Sequence, residues 1–579
     1  MSLEEIKVRL LSATETTEDL LAQVNDIYFQ EVSSEDNFLE EALKQLHNSG
    51  EIQFVELVKN VDKNSCRYDF FIILRAFENV LPSLEASVED VIHCLVHLTQ
   101  LCGRDFAIGG LYSAYERFCS REISRSKGSI EIILGQSELN TYASFIASSI
   151  LAYHSDHMAE AIQIAESFID HKNDIVRRQA YFTLGSLKVN ESQANTIWKL
   201  LIGSIYREHD SDCCITILKT ALNFGKKFPS YWQQIEELLN ILIENASPNV
   251  QDEISRIIAF QVIELPENVI KLLVKKLKNV SPENKLIIDN IDHVLVKLLD
   301  KYSHSIAIEL LESVLSVGVS FQNLDYFAAE LLKKNKEFIN NISTKWFISG
   351  EPSLCRSVLD ILNNATDEEI ELKAEMALLD DEIKQVFAIH KAVGWLFTRP
   401  ISAASFILSI YETASMTTRK EIERILYDPL LLSYPGELNR FFLSCIERGN
   451  QEQLCEHLIR KLNIYHADLE KVSGLKELMP PSENVSAYWK NFDKSMQEAY
   501  EEAPKSPLMS LFTTQRLLYG NTSIYYVHQG NGEQIRQEME MQSFSHSTEM
   551  PRLNILDPES LDHILRVYRI ERMKNEVNS

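Results

Sequence analysis

The residues whose types and spacing could do chemistry begin with His93 and His97, four apart in VEDVIHCLVHLTQLC, with Cys94 and Cys102 close by. On a helix this spacing projects two imidazoles from one face, as zinc sites require. A third and fourth ligand would have to come from another helix, and the sequence names none. A helix whose histidines line a groove or repeat junction satisfies the same pattern, and it outweighs metal because zinc sites usually show more ligands at tight spacing. His93 and His97 therefore stand as the metal candidates, while no metal or cofactor is assigned.

Other constellations have structural readings that outweigh the chemical ones. His154 and His157 flank Asp156 where one helix ends and the next begins, and capping fits them better than a catalytic Asp–His pair. The vicinal Cys213–Cys214 falls in a helical first turn. That position lowers a thiol pKa, yet cysteine more often packs as a small hydrophobe. The acidic run at 378–382 reads as a solvated face. The signatures GxxxxGK[ST], GxGxxG, HExxH, GxSxG, the EF-hand loop and CxxC are absent from the sequence, which removes the local arguments for an enzyme. No catalytic residue is assigned.

Five residues are candidates for contact with a partner. Trp198 and Trp232 occupy similar places 34 residues apart, so stacked units would bring them near each other as a core layer or an aromatic strip on a groove. Lys271, Lys275 and Lys276, with Lys278, make the strongest local basic patch. They suit the wet side of an amphipathic helix, or contact with a phosphate.

The elements that must position these residues are helical pairs. Asp174 opens IVRRQAYFTLGSL, with the stripe Ile175, Val176, Ala180, Phe182, Leu184 and Leu187, and ANTIWKLLIGSIYR supplies a second helix. Asp212, Asn249 and Asn284 open further pairs, giving spacings of 38, 37 and 35 residues between proposed caps. Less regular copies lie upstream and downstream. Acid-Ile-Val-Arg followed by Ala and Leu-Gly, from Asp174 to Leu187, resembles the first half of a HEAT repeat. The resemblance is to an architecture class, and it implies that the acid and the basic residue one turn later knit neighbouring repeats while Leu-Gly lies in the packed face. The fold expected is all-α: a right-handed α-solenoid of HEAT-like hairpins with a period of about 35–38 residues.

Past this array the pattern changes. Four prolines between 479 and 507 surround one short helical piece. SIYYVHQ, Gly530-Asn531-Gly532 and the period-two segment EQIRQEMEM then read as a β-hairpin, and DPESLDHILRVYRIER as a helix start running into a short helix or strand. The expected organisation is capping helices over 1–60, solenoid over 61–478, a proline-containing linker and short helix over 479–509, and a small α+β module over 510–579.

Composition bounds the function. The chain has 579 residues, too many for one core of about 250–300. Gly (18) and Pro (15) fall well below their usual share of about 12%. The formal charge of −27 argues against nucleic acid, whose binders neutralise phosphates, and for a basic protein partner. MSLEEIKVRLL lacks the features of a signal peptide, no apolar run spans a membrane, and nine scattered cysteines suit a reducing cytoplasm. The expectation is a non-catalytic cytoplasmic interaction scaffold or adaptor within a larger complex. The alternatives are a nucleic-acid-binding HEAT-like protein using a local basic strip, and a metal-dependent enzyme built on His93 and His97.

Overall fold

Side-chain caps set the helix starts at even intervals. In a computed structural model, Asn173, Asp210 and Ser247 each accept hydrogen bonds from amides in the first turn of the helices Asp174–Ser186, Ser211–Lys227 and Pro248–Phe260. Asn284 precedes Lys285–Lys301 at the equivalent position without a side-chain cap. Positions 173, 210, 247 and 284 are 37 residues apart in every case. The expected caps Asp174, Asp212 and Asn249 lie one or two residues later, inside the first turn, where an acid suits the positive end of the macrodipole but the orphan amides are already taken.

The structure describes residues 2–14, 16–31, 38–103, 108–153, 157–244, 246–261, 264–365, 369–476, 481–502, 517–519, 522–528, 534–540, 549 and 551–573, save for residue 335. It divides into two units, Met1–Val280 and Ser281–Ser579.

In the first unit the first helices of successive pairs pack side by side, Asp174–Ser186 on Ser211–Lys227 and that on Pro248–Phe260. The second helices Glu191–Ile205, Trp232–Glu244 and Glu267–Leu277 do the same. Each pair buries its apolar stripe against its neighbours, so stability is shared between adjacent pairs. Gly185 permits one close approach: a Cβ there would lie 2.6 Å from Thr220 Cγ2. One position of the expected stripe is corrected. Phe182 is exposed and Tyr181 is buried in its place, because the Tyr181 hydroxyl reaches Glu208 while its ring fills the core.

In the second unit Lys285–Lys301 packs on Asp325–Lys334, His304–Ser316 on Pro352–Asn363, and Lys336–Ser349 on Glu382–Leu396. Pro400–Ile410 packs on Pro435–Glu447, which forms a hairpin with Glu452–Val472. The expected short helix after residue 479 is instead a 21-residue helix, Ser482–Glu502. Its prolines bracket it rather than interrupt it, and no Gly or Pro lies within it.

Leu517–Tyr519, Thr522–His528 and Gln534–Glu540 form an antiparallel meander in which Val527 faces Ile535 and Thr522 faces Glu540. The expected turn Gly530-Asn531-Gly532 lies outside the described residues. The small α+β module expected over 510–579 is not supported as a unit. The last segment, Pro558–Ile570, is a helix that packs on Glu382–Leu396. Its buried face is Leu561, Leu565 and Tyr568, a helical spacing that belongs with the helical array.

Candidate interaction site

Two segments of the second unit lie on its helices and are gripped largely through their backbones. The first is an irregular strap at 369–375, outside any helix or strand. Pro400–Ile410 presents Ser402, Ser405 and Ser409 along one face at spacings of three and four, and Lys336–Ser349 presents Asn340 and Thr344, four apart. The Leu372 amide donates to Ser405 Oγ at 2.9 Å, Lys373 to Asn340 Oδ1 at 2.9 Å, Ala374 to Ser409 Oγ at 2.8 Å and Glu375 to Thr344 Oγ1 at 2.9 Å. Ser402 Oγ donates to the Ile370 carbonyl at 2.6 Å. Four consecutive amides are thus satisfied by side chains, where a buried unpaired amide would cost about 1–3 kcal/mol. Leu372 is buried, and Arg448 grips Glu371 with Nη1 at 2.9 and 3.0 Å from the two carboxylate oxygens.

The second held segment is the helix Pro558–Ile570. At its carbonyl end the Lys391 ammonium donates to Arg569 O at 2.8 Å and to Glu571 O, taking up orphan carbonyls of the last turn. Lys391 is fully buried and lies over the Phe387 ring at 4.9 Å. Burial pushes its pKa down, against the pull of Cys355 and Glu571. His390 stacks on Tyr568 at 4.4 Å, with Nδ1 2.8 Å from Glu571 Oε2 and Nε2 3.1 Å from Glu421 Oε1. Arg424 bridges Glu421 and the Tyr568 hydroxyl, the latter at 2.8 Å. Its guanidinium holds Glu421 below the usual carboxylate range, and His390 adds to the effect. Arg569 Nε donates to Gly394 O, and the guanidinium lies over Trp395 at 5.5 Å.

Gly394 lets the two helices meet. A Cβ there would stand 3.1 Å from Tyr568 Cβ and 3.2 Å from the Arg569 nitrogen. Upstream, the Glu549 carboxylate accepts from the Gly436 and Glu437 amides at 2.7 and 2.6 Å, at the start of Pro435–Glu447. The chemistry available here is recognition: fixed donors and acceptors on helices, read by carbonyls, amides and a few charged tips of a second segment.

The residues singled out from sequence lie elsewhere, in the first unit. His93 Nδ1 is 3.0 Å from the Tyr142 hydroxyl, and His97 Nε2 is 3.5 Å from Val61 O. The two rings thus meet different neighbours, and no group of three or more His, Cys, Asp or Glu poised for a metal occurs among the described residues. Trp198 is buried against Phe224 and Tyr231 at 5.8 and 5.9 Å, and Trp232 packs beside Gly225. Lys271 and Lys275 are exposed and Lys276 is half-buried, and Lys271 pairs with Glu267 at 2.7 Å. In the segment from Asp174 to Leu187, Arg177 holds Glu208 with two hydrogen bonds of 2.9 and 3.1 Å, and Arg178 meets Asp212 at 3.2 Å. His154 and Asp156 lie outside the described residues, and His157 precedes Met158–Ile169 without a side-chain cap. Burial pushes the Cys214 thiol up to about 11, with Glu208 and Asp210 adding to the rise. Cys213 moves the same way for the same reasons.

No family model matches this chain, and no curated protein matches it. Among solved structures the chain is similar to one described as the structure of the TSC2 N-terminus. The identity is 12%, the match covers 62% of this chain and 98% of that one, and the TM-score is 0.23. A likeness at that level carries no argument here. Among the described residues, no helix is long and apolar enough to cross a membrane.

Sequence reading missed the serine face of Pro400–Ile410. ISAASFILSIYETA shows its signal, three serines on one helical face that is otherwise apolar. It missed Lys391 as well, because a lysine between His390 and Ala392 carries no mark of full burial.

Proposed function

We propose that the chain is a protein–protein interaction scaffold or adaptor, a right-handed HEAT-like α-solenoid acting as a subunit of a larger cytoplasmic assembly. The observation that carries this reading is the holding of the 369–375 strap by five side chains of two neighbouring helices. Hydrogen bonds to backbone amides grip a segment largely without regard to its side chains, as a surface that holds extended chains requires. The docking of Pro558–Ile570 supports the same reading for helical segments. The charge of −27 favours a partner segment that is basic.

Affinity purification of the intact chain from its native host, with nuclease treatment and mass spectrometry of what co-elutes, tests the proposal. A protein partner retained in constant ratio after nuclease treatment is expected. Recovery of nucleic acid as the retained species, or of no partner at all, overturns it.

A further inference from the structure

Among the buried thiols, one pair differs in its surroundings. Cys445 lies in the last turn of the helix Pro435–Glu447 and Cys455 in the first turn of Glu452–Val472, the two helices packing as a hairpin. The intervening turn is tight, with Gly449 and Gln451 both at positive φ, 69° and 50°. Asn450 ties it across, its amide donating to Cys445 O at 2.8 Å and its carbonyl accepting from Cys455 Sγ at 3.9 Å. Arg448 Nη2 lies 3.7 Å from Cys445 Sγ while Nη1 grips Glu371. Cys445, 4% exposed, also lines an open cleft of about 260 Å³ with Glu371, Ser405, Ser409, Glu412 and Asn450.

These contacts set Cys445 apart electrostatically. The neighbouring Cys455 thiol and the Arg448 charge pull the Cys445 thiol below its usual range, against burial. Burial raises the thiols of Cys94, Cys119 and Cys355. The thiolate is the nucleophile of sulfur chemistry, and a cationic neighbour favours it.

We propose that Cys445 and Cys455 are a peroxide-reactive thiol pair, with Cys445 as the attacking sulfur and Cys455 as the resolving one. The Cys445 thiolate attacks one oxygen of hydrogen peroxide. The O–O bond breaks, hydroxide leaves and is protonated to water, and Cys445 becomes a sulfenic acid. Cys455 sulfur then attacks Cys445 sulfur, and the S–O bond breaks. The departing hydroxide takes the Cys455 proton, so a disulfide and a second water result. The two sulfurs together lose two electrons, and peroxide gains them. Closure joins consecutive helices across a short turn, which keeps the required rearrangement local.

The test is peroxide titration of the full chain, followed by intact mass and peptide mapping under non-reducing conditions. A loss of ~2 Da, the mass of two hydrogens, located to a Cys445–Cys455 link is expected, with a rate that rises with pH as the Cys445 thiolate forms. Cys455→Ser should accumulate a sulfenic acid at Cys445 that dimedone traps. Arg448→Gln should slow the reaction at neutral pH by about threefold or more, through a smaller thiolate fraction. Circular dichroism separates these effects from misfolding, and the wild-type mapping needs no variant. Oxidation at exposed Cys66 ahead of Cys445, or no Cys445–Cys455 link in the wild type, overturns the proposal.

Discussion

The Lys391 ammonium donates to the carbonyl oxygen of Arg569 at 2.8 Å, across 178 residues of chain. The contact joins the middle of one helix to the carbonyl end of another, in a place closed to water. A buried ammonium without partners would carry a large desolvation cost. Lys391 instead has two carbonyls and an aromatic face, so lysine and docked helix depend on each other.

Lys391→Met should therefore free the last helix while leaving the array folded. Hydrogen bonds to a charged group contribute about 1.5–3 kcal/mol each, so loss of one alone shifts the docked population at least about tenfold. Limited proteolysis reads this directly as faster cleavage within 552–573, with the melting of the remaining helices retained.

Gly394→Val tests the same contact by bulk rather than charge. The added Cβ meets Tyr568 and the Arg569 backbone at 3.1 and 3.2 Å, and a helix interior tolerates valine at least as well as glycine. The expected outcome is again release of the 558–570 helix. Hydrogen exchange should show it as lost protection there, with protection kept in Lys336–Ser349.

These long-range contacts mark the limit of what the sequence made legible. The helical pairs from Asp174 to Ser316 follow from stripe and cap signals, and the second helices Trp232–Glu244 and Glu267–Leu277 fall where their apolar spacing puts them. Cap positions shifted because Asn173, Asp210 and Ser247 sit one or two residues before the acids or amides that look like caps. The strap and the docked helix were not legible. Ser405 and Leu372 are 33 residues apart, and Lys391 and Glu571 are 180 apart. Such pairings are written in tertiary packing and leave no periodic trace. Tryptophans and lysines attract notice by type, whereas the groups that grip here are serines, an asparagine, a threonine and one buried lysine.

Ser405→Ala should cost about 1–3 kcal/mol, because the buried Leu372 amide loses its acceptor. The preceding residues Ala403 and Ala404 carry no side-chain acceptor to replace it. Denaturant unfolding followed by circular dichroism measures this, and exchange at the Leu372 amide should rise by more than that at Ile407, inside the intact helix.

In the first unit, Arg177→Met should destabilise far more than Arg178→Met. Arg177 faces Glu208, whose side chain is 4% exposed, whereas the Asp212 partner of Arg178 is 60% exposed. Removing one partner of a buried ion pair costs about 3–5 kcal/mol, and a surface pair contributes under about 1 kcal/mol. The larger figure is an upper bound for Glu208, which keeps bonds from Tyr181 and the His209 and Asp210 amides. Thermal melting of the two variants makes the comparison.

Acidification should weaken the second unit in a defined direction. Glu421 is held below its ordinary pKa by Arg424 first and His390 second. A depressed folded-state pKa contributes stability above the unfolded value of about 4.5, and that contribution is lost as pH falls through the folded value. Wild type should accordingly lose more stability than Glu421→Gln on going from about pH 5 to about pH 3 in melting experiments.

The most direct test of the central claim, that this helical surface holds peptide segments, is calorimetric titration of a chain ending at residue 548 with a synthetic peptide of residues 549–573. The expected result is saturable one-to-one binding, abolished by Gly394→Val in the shortened chain. A shortened chain that keeps its helical circular dichroism yet gives no heat with the peptide would contradict the account.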